Sequence, residues 1–289
     1  MTGSTAGSAK AIAVALPERV REHNLTLVAA GVAFYAFLAF VPALIAFVSI
    51  YGLVADPVSV TRNVHNVAAA LPDEVQRFLV FQLTSIAKAD TRGVSLTLIV
   101  ATAVALWSAS GGIAALIAGI RIAREQDVAK GFVRKRAKAL ALTLATIVFL
   151  AAVIFLTTVL PPLVADTGLG SGSRVAFEVL RWPALGILMA VGIGALYRFA
   201  VPEQTGGWLG FITRGTVVAL LGWLIVSALF GVYTANFSRY SKTYGALASI
   251  VVVLLWLWLS SLLILIGAEI DGAARRIAAS NSPSGETTA

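Results

Sequence analysis

His23 and His65 are the two histidines of the sequence, and it contains no cysteine. Metal-assisted hydrolysis needs converging His, Cys, Asp or Glu ligands, and covalent catalysis needs a nucleophile beside a base. Neither histidine has such a partner at ligand spacing. His23 stands among Arg21, Glu22 and Asn24, which reads as a solvated ring at a membrane interface. His65 falls on the polar face of an amphipathic stretch. Asp73 and Glu74 are adjacent, so on a helix they diverge, and their place behind Pro72 suits charges at a helix N-terminus. These residues offer no metal site, no catalytic residues and no cofactor motif, and no phosphate-binding loop of the Walker kind occurs.

Other candidates lie in or beside apolar runs. Leu106-Trp107-Ser108-Ala109-Ser110-Gly111-Gly112 is dense in small residues, and Ser108 to Gly112 has the spacing that lets membrane helices approach closely. The alternative is a locally unwound segment lining a substrate path. Gly186, Gly192 and Gly194 interrupt a short apolar run between Arg181 and Arg198, a pattern that points to binding sites in transporters. The competing reading has both arginines snorkelling to opposite headgroup layers. Glu178 and Arg181, three apart, share a helix face and can pair. Glu269 would cost about 2.5–3.5 kcal/mol within the hydrocarbon. Asp271, Arg275 and Arg276 follow it closely, which places it near the headgroups, with a basic residue of a neighbouring loop as a further possible partner.

Lys130, Arg134 and Lys138 recur at four-residue steps on one helix face, flanked by Lys135 and Arg136. Such a strip just inside a membrane attracts anionic lipid at about 1 kcal/mol per charge. RNA recognition would want interleaved aromatics, and only Phe132 is near, so no nucleic-acid partner is expected. Trp182 and Trp208 read as interfacial anchors, whereas Trp107, Trp223, Trp256 and Trp258 read as packed between helices.

The elements that must position these groups follow from hydropathy. Of 289 residues 58% are hydrophobic and 12% charged, where soluble domains carry roughly 25% charged residues. That leaves too little polar surface for a soluble enzyme. The expected fold is an all-α integral membrane protein, a bundle of about six transmembrane helices over residues 25–55, 94–120, 139–160, 182–200, 211–238 and 244–270. Residues 1–24 form a cytoplasmic segment with a short amphipathic helix, 25–272 the membrane domain, and 273–289 a cytoplasmic, largely disordered tail. Between the first two spans, amphipathic helices over about 58–88 lie at an interface or against the bundle. The larger share of the 22 Lys and Arg falls on the side carrying both termini, which the positive-inside rule places in the cytoplasm.

The order of several strings resembles the YihY/BrkB family of bacterial inner-membrane proteins, once labelled ribonuclease BN. They are Ala29-Ala30-Gly31-Val32-Ala33-Phe34-Tyr35 running to Pro42; Trp107-Ser108-Ala109-Ser110-Gly111; Tyr197-Arg198 with Pro202; Trp208 through Gly215; Tyr244-Gly245-Ala246 leading to Trp256; and Gly267-Ala268-Glu269-Ile270. The resemblance covers about Leu25 to Arg276. It implies a six-span bundle in the inner membrane with cytoplasmic termini, and an envelope function such as moving lipids. It supplies no catalytic residue. Tyr35, Pro42, Trp107, Arg198, Tyr244, Gly245 and Glu269 become candidates for structural or site roles, beside Ser108, Ser110, Gly111, Glu178 and Arg181.

The leading expectation is a transporter or lipid-handling protein, passive or ion-coupled, that meets anionic headgroups on the cytoplasmic side and uses no cofactor. The alternative is an assembly protein that binds partners through 58–88, and an RNA-processing nuclease ranks last. Small-residue spacings such as Ser227 to Gly231 fit contacts within one bundle or between the protomers of a homo-oligomer.

Overall fold

A computed structural model describes residues 3–38, 96–126, 131–161, 171–202, 212–236 and 246–280, and among them there is no strand. The helices are α1 (Gly3–Glu22), α2 (Leu25–Leu38), α3 (Leu96–Ala123), α4 (Phe132–Ile154), α5 (Ser171–Ala200), α6 (Arg214–Asn236) and α7 (Ala246–Ser280). This is the expected all-α membrane architecture. The amphipathic stretch 58–88, with His65, Asp73 and Glu74, lies outside the described residues, as do Trp208 and the rest of the stretch 25–55 beyond Leu38.

Local chemistry sets the helix ends. Gly131 precedes α4 with φ 98°, a left-handed conformation that suits glycine. The far end of α4 widens into a π-helical turn over Phe155–Val159. Pro161 follows, and its missing N–H cannot bond the carbonyl four residues back, so the ladder is already perturbed there. Asn24, with φ 49°, turns the chain sharply between α1 and α2, and asparagine is among the few residues that tolerate this region.

Five of the helices are long and apolar enough to cross a membrane, over Leu106–Ala123, Phe132–Thr157, Val179–Ala200, Arg214–Tyr233 and Ile250–Ile277. Within them only 17–39% of residues are buried against other parts of the protein, so most apolar side chains point outward, as a lipid solvent requires. The fourth of the expected spans is not short. Its helix runs 30 residues from Ser171, because Arg181 does not end it: the guanidinium lies 5.5 Å from the centre of the Trp182 ring, and the helix continues beneath both. Nor do Gly186, Gly192 and Gly194 break it, and α3 runs unbroken through Ser108–Gly112. The small residues there serve close packing, since a Cβ on Gly112 would come within 3.1 Å of the Ala36 backbone on α2.

The core lies where the starts of α2 and α6 meet the last turns of α3 and α5 and the stretch of α7 around Leu265 and Ala268. Leu25, Ala29, Ile120, Ala123, Tyr197, Ala200, Ala219, Leu265 and Ala268 form it. Alanine at so many of these positions brings helix axes close. The extreme case is Gly215 of α6 against Gly267 of α7, where a Cβ on either would overlap the other's carbonyl oxygen. Replacing Gly267 by Ala is therefore expected to lower the stability in detergent by about 1–3 kcal/mol or more. Gly186→Ala, which adds a methyl in open space, should be neutral or gain up to about 1 kcal/mol. Thermal unfolding of both variants checks this, and equal midpoints would contradict the close-approach assignment.

Candidate functional site

The described acidic and basic side chains concentrate at the end of the bundle that holds the core. Glu269, on α7, is wholly buried, with a side-chain exposure of 0%. Its two oxygens are divided between different partners. Oε2 lies 2.7 Å from His23 Nδ1, at the turn between α1 and α2. Oε1 accepts from Arg276 at 3.1 Å and from Arg19 at 3.4 Å. The same two arginines reach Glu125, just past the end of α3, at 2.7 Å from Arg276 and 2.9 Å from Arg19. His23 Nε2 stands 3.6 Å from that carboxylate. Two carboxylates, two guanidiniums and one imidazole thus tie α1, α3 and α7 together. Partial burial works against the Glu125 charge, but the hydrogen bond from Arg19 and the charge of Arg276 outweigh it and hold the carboxyl below its ordinary range.

Asp271 lies two residues further along α7, so it projects from roughly the opposite side of the helix. It too is buried. Arg124 donates to its Oδ2 at 2.8 Å, Thr213 Oγ1 donates to the same oxygen at 2.5 Å, and the Gly215 backbone N–H donates to Oδ1 at 2.8 Å. Thr213 is the N-cap of α6, its hydroxyl accepting from the Thr216 N–H at 3.1 Å. The carboxylate therefore serves both a guanidinium and the positive end of a helix. Burial pushes the Arg124 guanidinium below its ordinary range, and Asp271 partly offsets that. Arg124 stacks over the Tyr197 ring, 4.8 Å from its centre, while the Tyr197 hydroxyl donates to the Ile264 carbonyl at 2.6 Å.

Beside this network, Arg121, Arg134, Lys135 and Lys138 rim a groove whose floor is Ala114, Ile117, Ala118 and Ala200. Arg121 is buried and donates to the Ala200 carbonyl at 2.8 Å. A second cleft, of about 360 Å³, runs between α3, α4 and α5, walled by Ile113, Leu116, Leu142, Phe149, Met189 and Leu196 among others. Lys135, Lys138, Leu142, Ala145 and Phe149 follow one another at three- or four-residue steps. One face of α4 therefore lines both the basic groove and the apolar cleft.

Of the residues proposed from sequence for site roles, only Glu269 enters the buried network. Tyr35 and Trp107 are half exposed, and Ser108 is exposed. Ser110 is buried and turns its hydroxyl back to the Trp107 carbonyl at 2.7 Å, a local helix bond. Gly111 has open space around it. Arg181 and Arg198 are half-buried on α5, and Glu178 lies on the same helix. Pro42, Lys130, Tyr244 and Gly245 lie outside the described residues.

Arg134, Lys135 and Lys138 line the groove, but Arg136 turns its guanidinium over the Trp107 ring, 4.0 Å from its centre, and donates to the Trp107 carbonyl. Trp107 is thus not sealed between helices. Trp223 and Trp258 do pack inward, hydrogen-bonding Ser260 Oγ at 3.1 Å and the Thr26 carbonyl at 3.0 Å.

One expectation is corrected: His23 is not a solvated ring, because the chain turn at Asn24 folds it onto Glu269 and leaves its side chain 14% exposed. Arg121 and Arg124 are both buried where α3 ends against α5 and α7. Sequence reasoning also missed Arg19, Glu125, Asp271 and Thr213. The available signal was the Glu269/Asp271 pair at the end of a 35-residue helix, which demands cations from elsewhere. Among the described residues no three His, Cys, Asp or Glu side chains converge to hold a metal ion.

Asp271→Asn should cost about 3–5 kcal/mol by leaving Arg124 buried without a counter-charge. The double variant Arg124→Met/Asp271→Leu should recover much of that, and an additive double-mutant cycle in thermal unfolding would refute the coupling. For Glu125 the depressed folded-state value gives a stabilisation that is complete above the ordinary carboxylate range and is lost as pH falls through it. Glu125→Gln should flatten the acid limb of a stability–pH curve below about pH 5, and an unchanged slope would count against the assignment.

With this geometry in view, the relatives can be compared. Residues 16–289 match the family described as Virulence factor BrkB. The ribonuclease-like protein YfkH of Bacillus subtilis (strain 168) is 31% identical over 175 residues, 58% of this chain and 62% of that protein. A UPF0761 membrane protein of Tolumonas auensis is 39% identical over 83 residues, 29% of this chain and 27% of the relative. Another, from Rhodospirillum centenum, is 36% identical over 108 residues, 37% and 23% of the two chains. The chain thus spans less than two thirds of the length of each of these relatives. No solved structure matches it. A match over nearly the whole chain, on a helical fold with five membrane-length helices among the described residues, identifies the protein as a multi-pass membrane protein of the BrkB family.

Proposed function

We propose that this protein is a transporter or lipid-handling protein of the cytoplasmic membrane, and that it holds an anionic amphiphile between α3, α4 and α5. The observation that carries this reading is the single face of α4 that passes from Lys135 and Lys138 to Leu142 and Phe149, lining first the basic groove and then the apolar cleft. A headgroup phosphate would meet the cations and an acyl chain the cleft. The excess of Lys and Arg on the side carrying both termini supports a cytoplasmic placement for this end. The ribonuclease-like name belongs to YfkH, and the described residues of this chain bring together no metal-ligand set to support such an activity here.

The test is native mass spectrometry of protein extracted in mild detergent, with identification of retained lipids. A stoichiometric, headgroup-selective lipid is expected. Lys135→Glu/Lys138→Glu should weaken its retention by roughly tenfold or more, from about 1 kcal/mol per charge removed and further repulsion per charge added. Gly192→Leu should act on the other half of the ligand, because any Cβ at Gly192 would press on the Phe149 ring at 2.8 Å and push it into the cleft. Only bulk lipid in all three proteins would reject the proposal.

A further inference from the structure

We infer that His23 is a proton-binding site that latches α1 onto the end of the bundle, so that α1 is held while the ring is protonated and loosened when it is not. This goes beyond lipid handling and concerns a different set of residues, so it stands or falls independently.

The argument begins with what the ring faces. Nδ1 lies 2.7 Å from Glu269 Oε2, and Nε2 lies 3.6 Å from Glu125 Oε1. A neutral imidazole has one donor and one acceptor nitrogen, whereas an imidazolium has two donors. Carboxylates accept only. With its single proton on Nδ1, a neutral ring directs the Nε2 lone pair at Glu125, and acceptor faces acceptor. Binding a proton from solution at Nε2 turns that contact into an N–H directed at a carboxylate, and both nitrogens are then matched.

The ring shares both carboxylates with two arginines. Arg19 from α1 and Arg276 from α7 bind Oε1 of both carboxylates, leaving Glu269 Oε2 to His23. Glu125, past the end of α3, and Glu269, on α7, are the carboxylates that the ring faces. His23 is also placed to report on solution, because its side chain keeps 14% exposure while that of Glu269 has none.

Its position makes the proton consequential. His23 sits at the turn where Asn24 breaks the path between α1 and α2. Besides these charges, α1 is held by apolar contacts of Ile12 and Leu16 with Ile270, Ala273 and Ile277, and of Val20 with the core. Protonated His23 adds a charge-assisted bond at the hinge of that helix, and deprotonation removes it, so docking weakens as pH rises. Glu125 follows Arg121 of the basic groove by one helical turn, so the latch and the groove share the end of α3.

The absence of native cysteines allows clean labelling. Val14→Cys on α1 and Val133→Cys on α4 are both exposed positions, and spin labels there report their separation by pulsed electron resonance. The full chain is placed in nanodiscs of neutral phosphatidylcholine and measured between about pH 5.5 and 8.5, the range that brackets imidazole titration. A single short separation at low pH should give way to a longer, broader population as pH rises. His23→Gln should show the long population throughout, and Glu125→Gln should move the transition to lower pH. A separation that does not change with pH in the native background overturns the inference. So does a His23→Gln protein that keeps the native transition, or a Glu125→Gln protein whose transition does not move. Identical elution of all variants on size exclusion separates these outcomes from misfolding.

Discussion

Two carboxylates on the last membrane helix, Glu269 and Asp271, are shut off from water, and the arrangement of the charged end follows from the need to neutralise them. An unpaired ion in such a place costs several kcal/mol. Because the two residues are two positions apart on α7, they face in nearly opposite directions and cannot share one set of partners. Glu269 recruits the α1–α2 turn and Arg276 further along α7, and with them the Glu125 side chain. Asp271 recruits the start of α6 and Arg124. The last turns of α7 therefore act as a shaft with two charged faces, and α1, α3 and α6 are fixed by the faces they meet.

Satisfying Asp271 carries a steric condition. Its Oδ1 accepts the Gly215 N–H at 2.8 Å, which is possible only if the backbone of α6 reaches the surface of α7. A side chain at 215 or at 267 would hold the helices apart. The electrostatic and the packing requirements thus meet at the same two glycines. Alanine at 29, 123, 200, 219 and 268 extends that close approach to the neighbouring helices. In a bilayer, where lipid tails are as apolar as leucine, close packing and buried polar bonds do the work that the hydrophobic effect does in water.

Away from this end the described helices present apolar side chains outward. That division suits a protein in which one end is held rigidly while clefts between helices open toward lipid. The basic groove and the apolar cleft meet along α4, one boundary of which is a π-helical turn. The latch at His23 borders the same region through the end of α3. Ligand binding and proton binding would then be read by neighbouring turns of one helix, each through its own charges.

The sequence by itself determined the class of the protein. Uncharged runs of about twenty residues have no stable alternative to spanning a membrane, and the spacing of Arg134, Lys135 and Lys138 already put them on or near one face. Glu269 was legible as a candidate because an acid at the end of such a run is costly wherever its charge is not answered. Its partners were not. His23 and Arg19 are about 250 residues away in the chain, and nothing in the composition of 19–24 distinguishes a solvated basic turn from one folded onto a buried carboxylate. The burial of Arg121 and Arg124 was hidden for the same reason: the helical period assigns a face, but only the packed bundle says what that face meets. Spacing within a helix is a local property fixed by backbone geometry. The neutralisation of a buried charge is decided by which distant elements share its low-dielectric surroundings, and that emerges only when the helices are assembled.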